Sequence, residues 1–89
     1  MSERLALLET RLRQALDPLE LEIVDDSHRH AGHPGARGGA GHYTVTIVSE
    51  RFRHRTTVER HRLVYEAVGD MMPDQIHALS IQARVPGEG

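Results

Sequence analysis

Leu5, Leu8, Leu12 and Ala15 or Leu16 recur every three to four residues, the spacing that lines one face of a helix. The chain is therefore expected to open with an amphipathic helix over residues 2 to 16. Ser2 can accept from a free amide of its first turn, and Asp17-Pro18 stops it, because the residue before proline is pushed out of the helical region. The period then drops to two. Leu19, Leu21 and Ile23 alternate with Glu20 and Glu22, as in a half-buried strand, and Asp25, Asp26 and Ser27 close it. Residues 28–41 hold five glycines, one proline and three histidines with no apolar pattern, which predicts a flexible loop longer than a hairpin needs. Tyr43, Val45 and Ile47 restart the alternation with Thr44, Thr46 and Val48 on the other side. A second strand is expected over about 42 to 49, antiparallel to the first.

After Phe52, Thr56 and Glu59 form an [ST]-x-x-E capping box that opens a helix over about 57 to 72. Its buried stripe is expected to be Val58, Val64, Val68 and Met71 or Met72. Gly69 weakens the end and Pro73 forbids simple continuation, so a short turn or second helical piece follows around 73 to 76. Leu79, Ile81, Ala83 and Val85 then alternate with Ser80, Gln82 and Arg84 as a third strand. His77 shares the parity of the apolar residues, which places it at the strand's start, near the sheet's rim, on the side the helices cover. The order is α-β-β-α-(α)-β. It describes a single α/β domain over 1–89, of the α+β kind, with a three-stranded mixed sheet and its helices on one face. No internal repeat is visible.

With 89 residues, 38% hydrophobic and 27% charged, the composition is that of one small globular domain, too short for a deep enclosed active site. No apolar run approaches the roughly 18 to 20 residues of a membrane-spanning helix, and no secretory leader is read at the start, so the expected location is cytoplasmic. There is no cysteine, and any soft-metal chemistry must borrow its sulfur from another molecule. All eleven basic residues are arginine, and there are seven histidines. The net charge of −2 argues against general affinity for nucleic acid, which grows with the number of cationic contacts. Yet Arg51, Arg53, Arg55, Arg60 and Arg62 fall within twelve residues, opposed there only by Glu59, and make a local basic patch.

Several linked motifs resemble the BolA family: Phe52, then Arg60-His61-Arg62-Leu63-Val64-Tyr65 in a helix, then Ile76-His77-Ala78-Leu79 opening a strand. The Asp26-Ser27 strand end, the histidine-bearing loop and Ile47-Val48-Ser49 match as well, so the resemblance covers nearly the whole chain. It implies a fold similar to the type II KH domain. It also implies a role beside monothiol glutaredoxins in iron–sulfur cluster handling, and members have been regarded as transcriptional regulators. In the family's heterocomplex a two-iron, two-sulfur cluster is bridged by glutaredoxin cysteine, glutathione and the BolA-like partner. Carried onto this sequence, the ligands implied are His77 and a loop histidine best matched by His30, since Ser27-x-x-His30-Ala31 has the family spacing. His33 is the alternative, with His28 and His42 behind it. No cofactor is implied for the isolated chain, which would be a monomer or weak dimer. The sequence departs from the family's Phe-x-Gly in reading Phe52-Arg53-His54, and its tail after the last strand is reduced to Val85-Pro86-Gly87-Glu88-Gly89.

Imidazole can replace thiolate on iron, so a chain without cysteine can still be half of a cluster site. Read on the residues alone, His77 is also satisfied as a rim histidine bonded to a carbonyl, and the loop histidines as a solvated stretch that could take zinc or nickel. His61 is expected to pack on the helix's buried side, while Arg60 and Arg62 flank it exposed. Together with Arg53 and Arg55 these arginines could meet glutathione carboxylates, an acidic partner surface or phosphate. RNA binding through a GXXG loop is poorly supported: Gly32-His33-Pro34-Gly35 and Gly35-Ala36-Arg37-Gly38 lie between strands, and the stretch between helices reads Gly69-Asp70-Met71-Met72. DNA binding through the basic patch and the following helix is the second reading. An enzyme is not expected, since no nucleophile elbow or phosphate loop is visible and Glu59 and His61, two apart on a helix, do not face each other.

Overall fold

In a computed structural model of the chain, residues 3–26, 41–72 and 76–87 are described, the side chains of Asp70 and His77 apart. Helix α1 covers Glu3–Leu16 and sends Leu8, Leu12 and Leu16 into the core, the four-residue spacing of a single stripe. Strand β1 follows at Glu20–Asp25. Leu19 precedes it and is 67% exposed, so the alternation that predicts an inward Leu19 begins one residue late. Strand β2, Gly41–Val48, alternates buried and half-buried residues without a break. A 3-10 turn at Glu50–Phe52, helix α2 at Thr57–Val68, a second 3-10 turn at Gly69–Met71 and strand β3 at Ile76–Arg84 complete the order. α2 therefore ends at Val68, before the expected 72, and the short turn or helical piece expected around 73 to 76 falls on positions 73–75, which lie outside the described residues, and on the start of β3.

β2 is central, antiparallel to β1 and parallel to β3, in the order β1-β2-β3. A parallel pair needs a long crossover, and α2 supplies it. Tyr43, Val45 and Ile47 of β2 meet Leu8, Leu12 and Leu16 of α1 and Val64 and Val68 of α2, with Phe52, Met71, Ile76 and Val85 closing the cluster. Both helices therefore cover the odd-numbered face of the sheet. The even-numbered face, with Thr44, Thr46 and Ser80, is left to solvent.

Two devices fix α2. The Thr56 hydroxyl accepts from the Glu59 amide at 3.1 Å while the Glu59 carboxylate accepts from the Thr56 amide at 2.8 Å, which is the capping box expected. At the other end Gly69 takes φ +52 and donates its N–H to Tyr65 O, a backbone angle that suits glycine. The phase of the helix differs from expectation. Val58 is 65% exposed rather than part of the buried stripe.

Candidate functional site

Register places His42 and the backbone of His77 at one rim of the sheet. Asp25 pairs with Tyr43 and the Asp26 amide donates to the His42 carbonyl at 2.7 Å, so the chain leaves β1 and rejoins β2 at the same place. On the other side of β2, Gly41 pairs with Ile76 and His42 with Ala78. One step on β2 thus faces two on β3, and the extra residue is His77. Such a bulge re-aims a strand and is common next to functional sites. There Ile76, out of parity with Leu79, Ile81 and Ala83, takes an inward position and is fully buried, while the side to which His77 turns lies outside the described side chains. The backbone of His77, the half-buried His42, and Asp26 and Gly41, which flank segment 27–40, therefore share one rim.

His28, His30 and His33 lie outside the described residues, as do the GXXG matches within 27–40. His42 is among the less favoured candidates by spacing. Among the described residues it is nevertheless the histidine whose register sets it beside His77. Gly41 and Tyr43 explain how this rim is packed. A methyl group added at Gly41 would lie 2.7 Å from the phenolic oxygen and Cζ of Tyr43, inside van der Waals contact, so the buried Tyr43 ring sits against the bare glycine backbone. Among the described residues no group of three or more His, Cys, Asp or Glu could hold a metal ion. With no cysteine in the sequence, a soft-metal site at this rim would need sulfur donors from another molecule.

The basic stretch divides when its bonds are followed. Arg53 meets Glu50 through two contacts of 2.7 and 2.8 Å, and this pairing, led by the Arg53 hydrogen bond, holds the Glu50 carboxyl below its ordinary range. Arg60 is half-buried and not exposed as expected, because it donates to the Arg55 carbonyl at 3.1 Å and to the Ala83 carbonyl at 3.0 Å. Arg51, Arg55 and Arg62 are exposed and make no ion pair among the described residues. His61 does not enter the core. It is half-buried in a shallow hollow with Val58, Arg62 and Tyr65, a set spaced i, i+3, i+4, i+7 along the solvent face of α2. Val58 and Tyr65 are 65% and 43% exposed, so this face offers apolar contact beside cationic charge. The spacing of these four residues is present in the sequence, but a stripe drawn through Val58 and Val64 hides it.

No helix is long and apolar enough to cross a membrane among the described residues. A family model described as BolA-like protein matches residues 12–88. Among curated proteins the chain is similar to Protein BOLA1, chloroplastic, of Arabidopsis thaliana, 38% identical over 91 residues, which cover 99% of this chain and 57% of that protein. It is also similar to the DNA-binding transcriptional regulator BolA of Escherichia coli strain K12, 35% identical over 74 residues, 83% of this chain and 68% of that one. Among solved structures it resembles the BolA domain of SufE1 from Arabidopsis thaliana, with a TM-score of 0.84, 40% identity, and coverage of 97% of this chain and 95% of the other. The chain spans less than two thirds of the length of the chloroplastic relative.

Proposed function

This chain belongs to the BolA-like family, and from that premise we propose that it is an adaptor which docks on a monothiol glutaredoxin and lends histidine to a two-iron, two-sulfur cluster shared with that partner and glutathione. One observation supports the reading: strand register sets the backbone of His77 beside His42, at the rim where Asp26 and Gly41 flank the histidine-bearing segment. His77 supplies one ligand. The second comes from His30, with His33 or His42 as the alternatives. The missing donors are sulfur, which a chain without cysteine cannot provide. Histidine ligation raises a cluster's reduction potential relative to thiolate. The solvent face of α2, with Val58, Arg62 and Tyr65, provides a contact surface, where Arg62 can meet a carboxylate. The chain's part is binding and ligation, with no catalytic residue.

Mixing the chain with a monothiol glutaredoxin, iron, sulfide and glutathione tests this. A heterocomplex is expected whose visible absorption and circular dichroism differ from those of the glutaredoxin alone, and His77→Ala should change that spectrum and shorten the lifetime of the cluster. An unchanged spectrum and cluster lifetime in His77→Ala would remove the ligand assignment.

A second reading, DNA binding, is favoured by the name of the Escherichia coli relative and by the exposed Arg51, Arg55 and Arg62. Replacing Arg55 or Arg62 should weaken binding to every sequence alike and lower the salt slope by about 1 for each arginine that meets a phosphate. Because His77→Ala leaves this face intact, the two readings separate by variant. Absence of sequence-selective binding at moderate salt rejects the second.

A further inference from the structure

β3 is an edge strand, and among the described residues one hydrogen bond caps its free edge. The Ser49 amide donates to the Arg84 carbonyl at 2.9 Å, so Arg84 turns its peptide groups toward β2, as do Gln82 and Ser80 by the alternation of a strand. Leu79, Ile81 and Ala83 then turn theirs outward. Among the described residues the outward groups of Leu79 and Ile81 have no partner. The Ala83 carbonyl does have one, the guanidinium of Arg60 at 3.0 Å. Nε of the same guanidinium donates to the Arg55 carbonyl at 3.1 Å, which fixes the side chain between the turn before α2 and the strand edge.

An exposed edge invites pairing with another strand unless something blunts it. The β1 edge carries Glu20, Glu22 and Asp25, and two copies meeting there would oppose carboxylates. Positions 76–83 of β3 carry no aspartate, glutamate, lysine or arginine. A second copy laid antiparallel with the two-fold axis at Ile81 would set Leu79 against Ala83 and Ala78 against Arg84, so no like charges face each other. That arrangement needs the Ala83 carbonyl to accept from the Leu79 amide of the other copy. Arg60 already holds that acceptor. We infer that Arg60 is a strand-edge guard, which keeps β3 from pairing with β3 of a second copy of this chain.

The test compares the full chain with Arg60→Ala and Arg60→Met by sedimentation equilibrium from micromolar to millimolar concentration, together with amide hydrogen exchange. The unsubstituted chain should keep one mass, with the Leu79 and Ile81 amides exchanging freely. Both variants should form a dimer as concentration rises, and those two amides should become protected in step with the dimer fraction. If Arg60→Ala does not fold, Arg60→Met, which keeps the apolar stem and removes the donors, gives the same reading. Variants that hold a single mass, or that form mixed aggregates with Leu79 and Ile81 unprotected, overturn the inference, as does pairing through β3 with Arg60 in place.

Discussion

The Ser49 hydroxyl donates to the Leu16 carbonyl at 2.5 Å, joining the last turn of α1 to the end of β2. Ser49 is fully buried, and it also accepts from the Arg51 amide at 3.1 Å. Leu16 belongs to a helix end whose carbonyls lack partners within the helix. Ser49→Ala should therefore leave a buried acceptor unmet and cost about 1–3 kcal/mol. Urea denaturation checks this, and an unchanged midpoint would show that water replaces the hydroxyl.

The Gly41–Tyr43 contact yields a second expectation. Gly41→Ala must push the Tyr43 ring out of its buried site, and overpacking of this sort costs about 1–3 kcal/mol. Because Gly41 adjoins the bulge at His77, the same substitution should shift the amide resonances of His42 and His77. Chemical shifts that move only at residue 41 would mean that the ring is not held there.

His54 stands where the family's turn has glycine, and it adopts φ +65. The left-handed angle is thus carried by a residue that has a Cβ. A left-handed angle costs an ordinary residue about 1–2 kcal/mol, and glycine's extra freedom in the unfolded chain returns about 0.4–1 kcal/mol of that. His54→Gly should consequently stabilise the protein, by up to about 1.6 kcal/mol, and His54→Val should destabilise it. Thermal melts of the pair decide the sign.

The capping box should be visible in the pH dependence of stability. The Thr56 amide, donating to the Glu59 carboxylate, holds that carboxyl below its ordinary value. A carboxyl lowered on folding contributes stability that is fully present above its unfolded value and is lost as pH falls through its folded one. Glu59→Gln should therefore differ most from the unsubstituted chain at neutral pH, and the difference should shrink on acidification. Denaturation midpoints at neutral and acid pH that stay equally far apart would exclude this role.

Much of the fold was legible because its signals are local. The leucine stripe of α1, the alternation of β2 and the Thr56–Glu59 box each specify one element within a few residues. The phase of α2 was not. At about 100° per residue, Val58 lies about 120° from Val64, and His61 about 60° from it. Grouping them into one stripe requires ignoring those angles, whereas Val58, His61, Arg62 and Tyr65 make a consistent outer face. The bulge at His77 was illegible for another reason. Parity counts residues along one strand, and an extra residue shows only when the partner strand is in register beside it. Likewise nothing near Arg60 in sequence announces Ala83, twenty-three residues later, as its acceptor.

The adaptor reading turns on imidazole from this chain reaching iron, and electron paramagnetic resonance of the reduced heterocomplex measures that contact directly. With only this chain labelled with nitrogen-15 histidine, the strongly coupled nitrogen signals should change to the nitrogen-15 pattern, and His77→Ala should remove one of them. Nitrogen couplings that ignore the label, or that persist unchanged in His77→Ala, would contradict ligation by this chain.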